Sequence, residues 1–261
     1  MLASFERACD LVTDGGEVVA LVWGGIGNGP LNVVLGSRPD AALPVGARFA
    51  VRDRSLTVGD ATFDLARAEL WDARPDWDAL RARRAQILAA ADIARSSSPG
   101  LQNGSLLKQA GPAVEAAVSA FGEAWQRGAR DELVAVARGL CGLGPGLTPA
   151  GDEWLAGWLL AQHLALDLTG LRHLSGLATD ITTARTTTLS RAFLECAAAG
   201  KADETWHALL SALAEEPMTS LPVFQSTDAI LSHGDTSGAA TLAGFFAGAA
   251  TSDSRPPTPA A

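Results

Sequence analysis

Gly142-Leu143-Gly144-Pro145-Gly146-Leu147-Thr148-Pro149-Ala150-Gly151-Asp152-Glu153 runs directly into the apolar stretch 154–166. Four glycines and two prolines within this stretch rule out a regular element, so it reads as a loop that feeds a buried helix. Capping chemistry accounts for part of it: Thr148 as N-cap, Pro149 at the first helical position, and Asp152 and Glu153 in the first turn. Capping leaves Gly142, Gly144, Gly146 and Gly151 unexplained, since each adds unfolded-chain entropy that folding must overcome. Glycines bring backbone N–H groups close to a ligand, and a helix start adds positive potential. The stretch therefore reads as an oxyanion or phosphate cradle, with Gly144, Gly146, Thr148 and Gly151 as candidate ligand-binding positions.

Working outward, helical periodicity holds on both sides of this loop, at 76–95, 112–127, 131–140, 152–168, 188–199, 203–214 and 238–250. Before it the pattern differs. Short β-branched runs at 17–23, 31–35, 48–51, 55–58 and 62–64 alternate with Gly, Pro and Asp punctuation, as in an antiparallel meander or small barrel. The fold class is α+β, with a β-rich N-terminal subdomain (1–75), a helical subdomain carrying the glycine loops (76–250) and a proline-rich, disordered tail (251–261). Ser96-Ser97-Ser98-Pro99-Gly100, with the polar residues that follow it, reads as a hinge or mobile loop.

The chain has 261 residues, 48% of them hydrophobic, enough for a full core. Its net charge of −9 and the absence of basic clusters beyond Arg81, Arg83 and Arg84 argue against nucleic acid as a partner. Three widely spaced cysteines (Cys9, Cys141, Cys196) fit reduced thiols and offer no zinc pattern. The N-terminus lacks the basic-then-apolar order of a signal peptide, so a cytoplasmic location is expected. The apolar windows 154–166 and 238–250 are too short to span a membrane.

The two acids complicate a phosphate reading, because a buried anion beside them is repelled unless a cation or a proton intervenes. Three roles stay open for Asp152: contact with an amide or ammonium group, general base, or ligand to a divalent metal with Glu153 turned to solvent. Trp154, Leu155, Trp158 and Leu159 mark the apolar faces and favour Asp152 as the inward acid. No resident cofactor is expected, and magnesium enters only through the third role.

A second loop, Thr182-Thr183-Ala184-Arg185-Thr186-Thr187-Thr188, precedes another helix and has the parts of an anion clamp: the planar fork of Arg185 with the hydroxyls of Thr186 and Thr187. The alternative is an N-cap with a surface arginine. A third, His233-Gly234-Asp235-Thr236-Ser237-Gly238, offers Asp235 or Thr236 as a cap, or Asp235, Thr236 and Ser237 as further ligand contacts. Of the four histidines, His233 is best placed for proton transfer. No Ser, His and acid set forms a recognisable triad, so nucleophilic catalysis is not expected. In the β-rich part, Gly24-Gly25-Ile26-Gly27-Asn28-Gly29-Pro30 has more glycine than a hairpin needs. Its excess suits close backbone approach to a ligand or to the helical half, with Asn28 and Asn32 as polar handles.

Thr183-Ala184-Arg185-Thr186 is similar to the Ser-x-Arg-Thr helix start with which aspartate- and ornithine-type transcarbamoylases bind carbamoyl phosphate. A wider resemblance rests on 27–34, 142–153, 184–187 and 236–238 together, and spans about 1–250. These motifs resemble a family, long catalogued as a domain of unknown function, that includes a subunit of the oxamate carbamoyltransferase of anaerobic allantoin breakdown. The sequence departs from that pattern where Ala150 and Ala184 replace serine, where Glu153 replaces a second aspartate, and in the position of the histidine near Asp235.

The resemblance implies a carbamoyltransferase-type subunit acting on a small carboxylate or amide with carbamoyl phosphate, in purine catabolism. Oxamate and oxalurate are the model compounds, and the partners are other carbamoyltransferase subunits or further copies of the chain. Asp152, Arg185 and His233 are the catalytic candidates on that reading. Two alternatives remain: a non-catalytic ligand-binding or assembly subunit that completes a partner's active site, and a stand-alone lyase or hydrolase with Asp152 as general base.

Overall fold

The computed structural model describes residues 1–40, 43–97, 106–108, 110–166, 170, 176, 179–181, 186–215, 220–234 and 236–251. Arg185, Asp235, most of the expected hinge and all of the expected disordered tail except Thr251, which is helical, lie outside them. The chain divides into two compact units, Met1–Ala73 and Arg74–Ala261.

In the first unit, β1 (Ala3–Ser4), β2 (Ala8–Val12), β3 (Val18–Val22) and β4 (Asn32–Val34) form one sheet in chain order, and β5 (Phe49–Arg52), β6 (Ser55–Val58) and β7 (Ala61–Asp64) form a second. Alternation does the work: Cys9 and Leu11 on β2, Leu21 on β3, Leu56 and Val58 on β6, and Ala61 on β7 share one core with Trp23. Pairing is antiparallel throughout except between β3 and β4, which run parallel, with Leu21 opposite Val33. The glycine-dense segment before β4 is therefore a crossover and not a hairpin turn. Parallel pairing obliges the chain to return to the starting end of β3. Gly24, Gly25 and Gly27, at φ of 63°, 85° and 84°, let it do so within a short connection. Asn32 fastens it by donating from Nδ2 to the Gly27 carbonyl at 3.0 Å.

The second unit holds α1 (Trp77–Ala82), α2 (Arg84–Ser97), α3 (Pro112–Arg127), α4 (Arg130–Leu140), α5 (Ala150–Ala165), α6 (Thr188–Ala198), α7 (Glu204–Ala214), α8 (Ser220–Leu231) and α9 (Ser237–Thr251). Helix α5 is buried along nearly its whole length, so it carries no polar face and sits at the centre. On one side it meets an aromatic cluster in which Phe121 and Trp125 stand edge-on to Trp158, with centroids 5.0 and 4.9 Å away. On another side it lies backbone to backbone against α9. A Cβ added at Gly157 would stand 1.9 Å from the Thr241 carbonyl oxygen, and one at Gly244 would stand 1.9 Å from that of Trp154. Among the described residues no helix is long and apolar enough to cross a membrane.

The architecture is the expected one, β-rich strands followed by a mainly helical remainder, with five local differences. The helix expected at 76–95 is two, broken at Arg83, whose guanidinium donates to the Ala214 carbonyl at 2.6 Å. Helix α8 and strands β1 and β2 lie where no element was expected. Helix α5 begins at Ala150 with Pro149 at its cap and no side-chain cap bond, so Thr148 does not cap it.

Candidate functional site

The glycine loop joins α4 to α5 and is held at both ends by side chains. At its start, the Gly142 N–H donates to both carboxylate oxygens of Asp152, at 3.1 and 3.2 Å. Thr186 donates to the same carboxylate from Oγ1 at 2.7 Å. Toward its end, the Leu147 carbonyl accepts from Thr187 Oγ1 at 2.6 Å and from Ser190 Oγ at 3.3 Å. Thr187 is also the N-cap of α6, its hydroxyl accepting from the Ser190 N–H at 3.0 Å. The first and second loops are thus parts of one construction.

Asp152 is the inward acid that the apolar faces suggest, at 2% exposure. Burial pushes its carboxyl above the usual range, while donation from Thr186, Gly142, Ser190 and Cys141 pulls the other way. With its oxygens bonded to loop and helix start, Asp152 is occupied in holding the loop. The role left for Glu153 on that expectation, a solvated neighbour, is overturned.

Glu153 is half-buried and points at α9, accepting from Thr241 Oγ1 at 2.9 Å. Thr148 Oγ1 and Ser237 Oγ lie 3.0 Å apart, and both hydroxyls act on the Glu153 carboxylate. Burial raises the Glu153 carboxyl to about 7; the Thr241, Thr148 and Ser237 hydroxyls oppose that rise and the Asp152 charge adds to it. This is where the third loop joins the other two. The placement follows from helix geometry. Glu153 and Gly157 lie one turn apart on α5, Ser237 and Thr241 one turn apart on α9, and the Gly157 contact with Thr241 sets the register that brings Glu153 against both hydroxyls.

The cluster is rich in acceptors. Three hydroxyls supply one proton each to a carboxylate, to one another and to the Ser237 carbonyl, which Thr241 also reaches at 2.8 Å. The loop beside it is rich in donors. Among the described residues, the N–H groups of Gly144, Gly146, Leu147 and Thr148 have no hydrogen-bond partner. Gly144 and Gly146 take φ of 119° and 92°. A ligand with acceptor atoms at one end and N–H donors at the other complements both halves.

The remaining expected positions separate. Gly151 serves packing: a Cβ there would stand 2.1 Å from the Leu140 carbonyl oxygen, where α4 ends against the start of α5. Thr236 precedes α9 and its carbonyl accepts from the Ala240 N–H at 3.0 Å. His233 turns its Nδ1 toward Asp203, 3.9 Å away, and Asp203 caps α7. Asn28 lies half-buried in the first unit's crossover. Arg185 and Asp235 fall outside the described residues. Glu153, Thr241 and Ser190 are the polar groups that the loop motifs did not single out. The signal for the first two was the matching one-turn spacing of small and polar residues on α5 and α9.

Among the described residues no group of three or more His, Cys, Asp or Glu side chains is arranged to hold a metal ion. No solved structure matches the chain. Residues 140–249, which carry the glycine loop, Glu153 and the α9 hydroxyls, match the model of the family described as oxamate carbamoyltransferase subunit AllH.

Proposed function

We propose that this chain is a carbamoyltransferase-type subunit that binds carbamoyl phosphate and a small carboxylate or amide of the oxamate and oxalurate kind. The observation that carries the reading is the side-by-side arrangement of unpartnered loop N–H groups and the Glu153, Thr148, Ser237 and Thr241 acceptor cluster. A carbamoyl or oxamate ligand is polarised in the same way, with an amide NH2 at one end and a carboxylate or phosphate at the other. Fixed N–H donors also suit the tetrahedral oxyanion of carbamoyl transfer, where removal of one well-placed donor costs roughly 3–4 kcal/mol of barrier. Arg185, on the segment before Thr186, supplies the cation that a phosphate beside two acids requires. The family description supports a working partnership with other subunits.

The test is calorimetric titration of the purified chain with carbamoyl phosphate, inorganic phosphate, oxamate and oxalurate, with and without magnesium, repeated on Arg185→Ala and Ser237→Ala. Saturable binding by the wild type, lost in Arg185→Ala and weakened in Ser237→Ala, supports the reading. Absence of binding to the folded wild type, alone and with partner subunits, overturns it.

A further inference from the structure

We infer that Glu153 is the proton-accepting group of this site and works through the hydroxyl pair of Ser237 and Thr148 on the nitrogen of the carbamoyl acceptor. The inference rests on the carbamoyl reading above. Its geometric basis is the Thr241 hydroxyl bound to the Glu153 carboxylate at 2.9 Å and the Thr148–Ser237 hydroxyl pair, 3.0 Å apart, brought beside it from the glycine loop and the first residue of α9. Asp152 cannot take this part, since its oxygens are already engaged by Gly142 and Thr186. Glu153 differs in meeting a hydroxyl pair that borders the unpartnered loop amides through Thr148.

In the transfer direction the acceptor nitrogen attacks the carbamoyl carbon. The N–C bond forms, and the bond from that carbon to the phosphate oxygen breaks with its electron pair leaving on phosphate. The N–H proton passes to Ser237 Oγ as the Ser237 proton passes to the Glu153 carboxylate. In phosphorolysis a phosphate oxygen attacks, and the proton returns along the same hydroxyl to the departing nitrogen. A carboxyl held near 7 exists in both forms at neutral pH, so one group serves both directions. Among the described residues, Asp152 is the charged group that acts on Glu153. The glycine loop through Ala150 and the whole of α9 carry no ionisable side chain other than Cys141 at the loop's start.

The experiment uses the full chain, with its partner subunits where turnover requires them. First, the glutamate carboxyl carbons are followed by NMR from acid to alkaline pH in wild type, Glu153→Gln and Ser237→Ala. One resonance titrating near neutrality and missing from Glu153→Gln is expected; all glutamates titrating in the ordinary carboxylate range overturns the inference. Second, oxamate binding and turnover are compared. Glu153→Gln is expected to keep oxamate affinity within about threefold, lose about 100-fold or more in kcat and lose the rise of kcat with pH through neutrality. Turnover within about tenfold of wild type with an unchanged pH profile overturns the inference. Should Glu153→Gln not fold, Ser237→Ala decides: saturated kcat falling at least about tenfold, with the neutral resonance retained, supports the relay, and unchanged kcat overturns it. A wild type that binds none of the ligands overturns the carbamoyl reading and this inference together; ordinary titration with binding intact overturns this inference alone.

Discussion

Asp152 and Glu153 are adjacent acids with opposite employment, because successive residues on a helix point about 100° apart. Asp152 faces the loop and α6, where it accepts from a backbone amide and a threonine hydroxyl. Replacing it with alanine strips the Gly142 N–H and the Thr186 hydroxyl of their partner. With Gly142 exposed and Thr186 half-buried, water replaces part of what is lost, and Asp152→Ala is expected to cost about 1–3 kcal/mol in all. A urea titration followed by tryptophan fluorescence checks this, and a variant as stable as wild type would mean the loop is held some other way. Glu153→Gln removes no loop anchor and keeps a group able to bond Thr241. It is expected to lie within about 1 kcal/mol of wild type near neutral pH. The pair thus separates a structural carboxylate from a chemical one by the same measurement.

At the scale of elements, the site depends on how closely α5 and α9 approach. Gly157→Ala would drive a methyl group into the Thr241 carbonyl oxygen, which is backbone and cannot swing aside. Forced separation of the two helices is expected to cost about 3 kcal/mol or more, and to pull the Ser237 and Thr241 hydroxyls away from Glu153. Gly139→Ala, in α4 with open space around the added carbon, is expected to gain roughly 0.5–1 kcal/mol from helix propensity. Thermal unfolding of the two variants side by side checks both signs. The contact also explains what could be read in advance. Helix α5 was legible as an apolar run, and the three loops as helix starts, because both are local signals. The break between α1 and α2 was not, since Arg83 is drawn out of line by a carbonyl 131 residues further on. Helix α8 was hidden by Pro222, which is harmless in a first turn whose N–H groups have no helical partner. In β2, Asp10 breaks the run of apolar residues, although it is itself buried at 5% exposure. Where Glu153 turns was illegible for a similar reason: it meets Thr241 across 88 residues, through a helix register that no local pattern specifies.

For the molecule as a whole, the buried His163 and the half-buried Glu153 of the second unit impose opposite pH dependences. His163 is 3% exposed and stacks on Trp77 at 5.1 Å, with Nε2 against the Ala197 and Ala198 carbonyls at 3.1 and 3.2 Å. Its Nδ1 is buried and has no partner among the described residues, so the ring is held neutral. Burial first, with the Arg74 and Arg81 charges adding to it against the two carbonyl contacts, lowers its pKa from 6.5 to about 4. The unfolded chain then binds more protons than the folded one between those values. The stability His163 contributes is complete above 6.5 and is lost as pH falls through 4, about 3 kcal/mol in all. Glu153 has the reverse sign. Its pKa rises on folding from 4.5 to about 7, so its contribution is complete below 4.5 and is lost as pH rises through 7. Over the shared interval the two slopes oppose each other, and wild-type stability is expected to change little with pH on their account. Glu153→Gln removes one slope, so its urea midpoint should climb steadily from pH 4.5 to 6.5. His163→Phe, which keeps a ring on Trp77, should instead show a midpoint that declines over that interval. Parallel profiles for the three proteins would mean that neither group changes its proton affinity on folding. Opposite slopes in the two variants, meeting in a level wild type, are the outcome that a neutral buried histidine and a protonatable site carboxylate require.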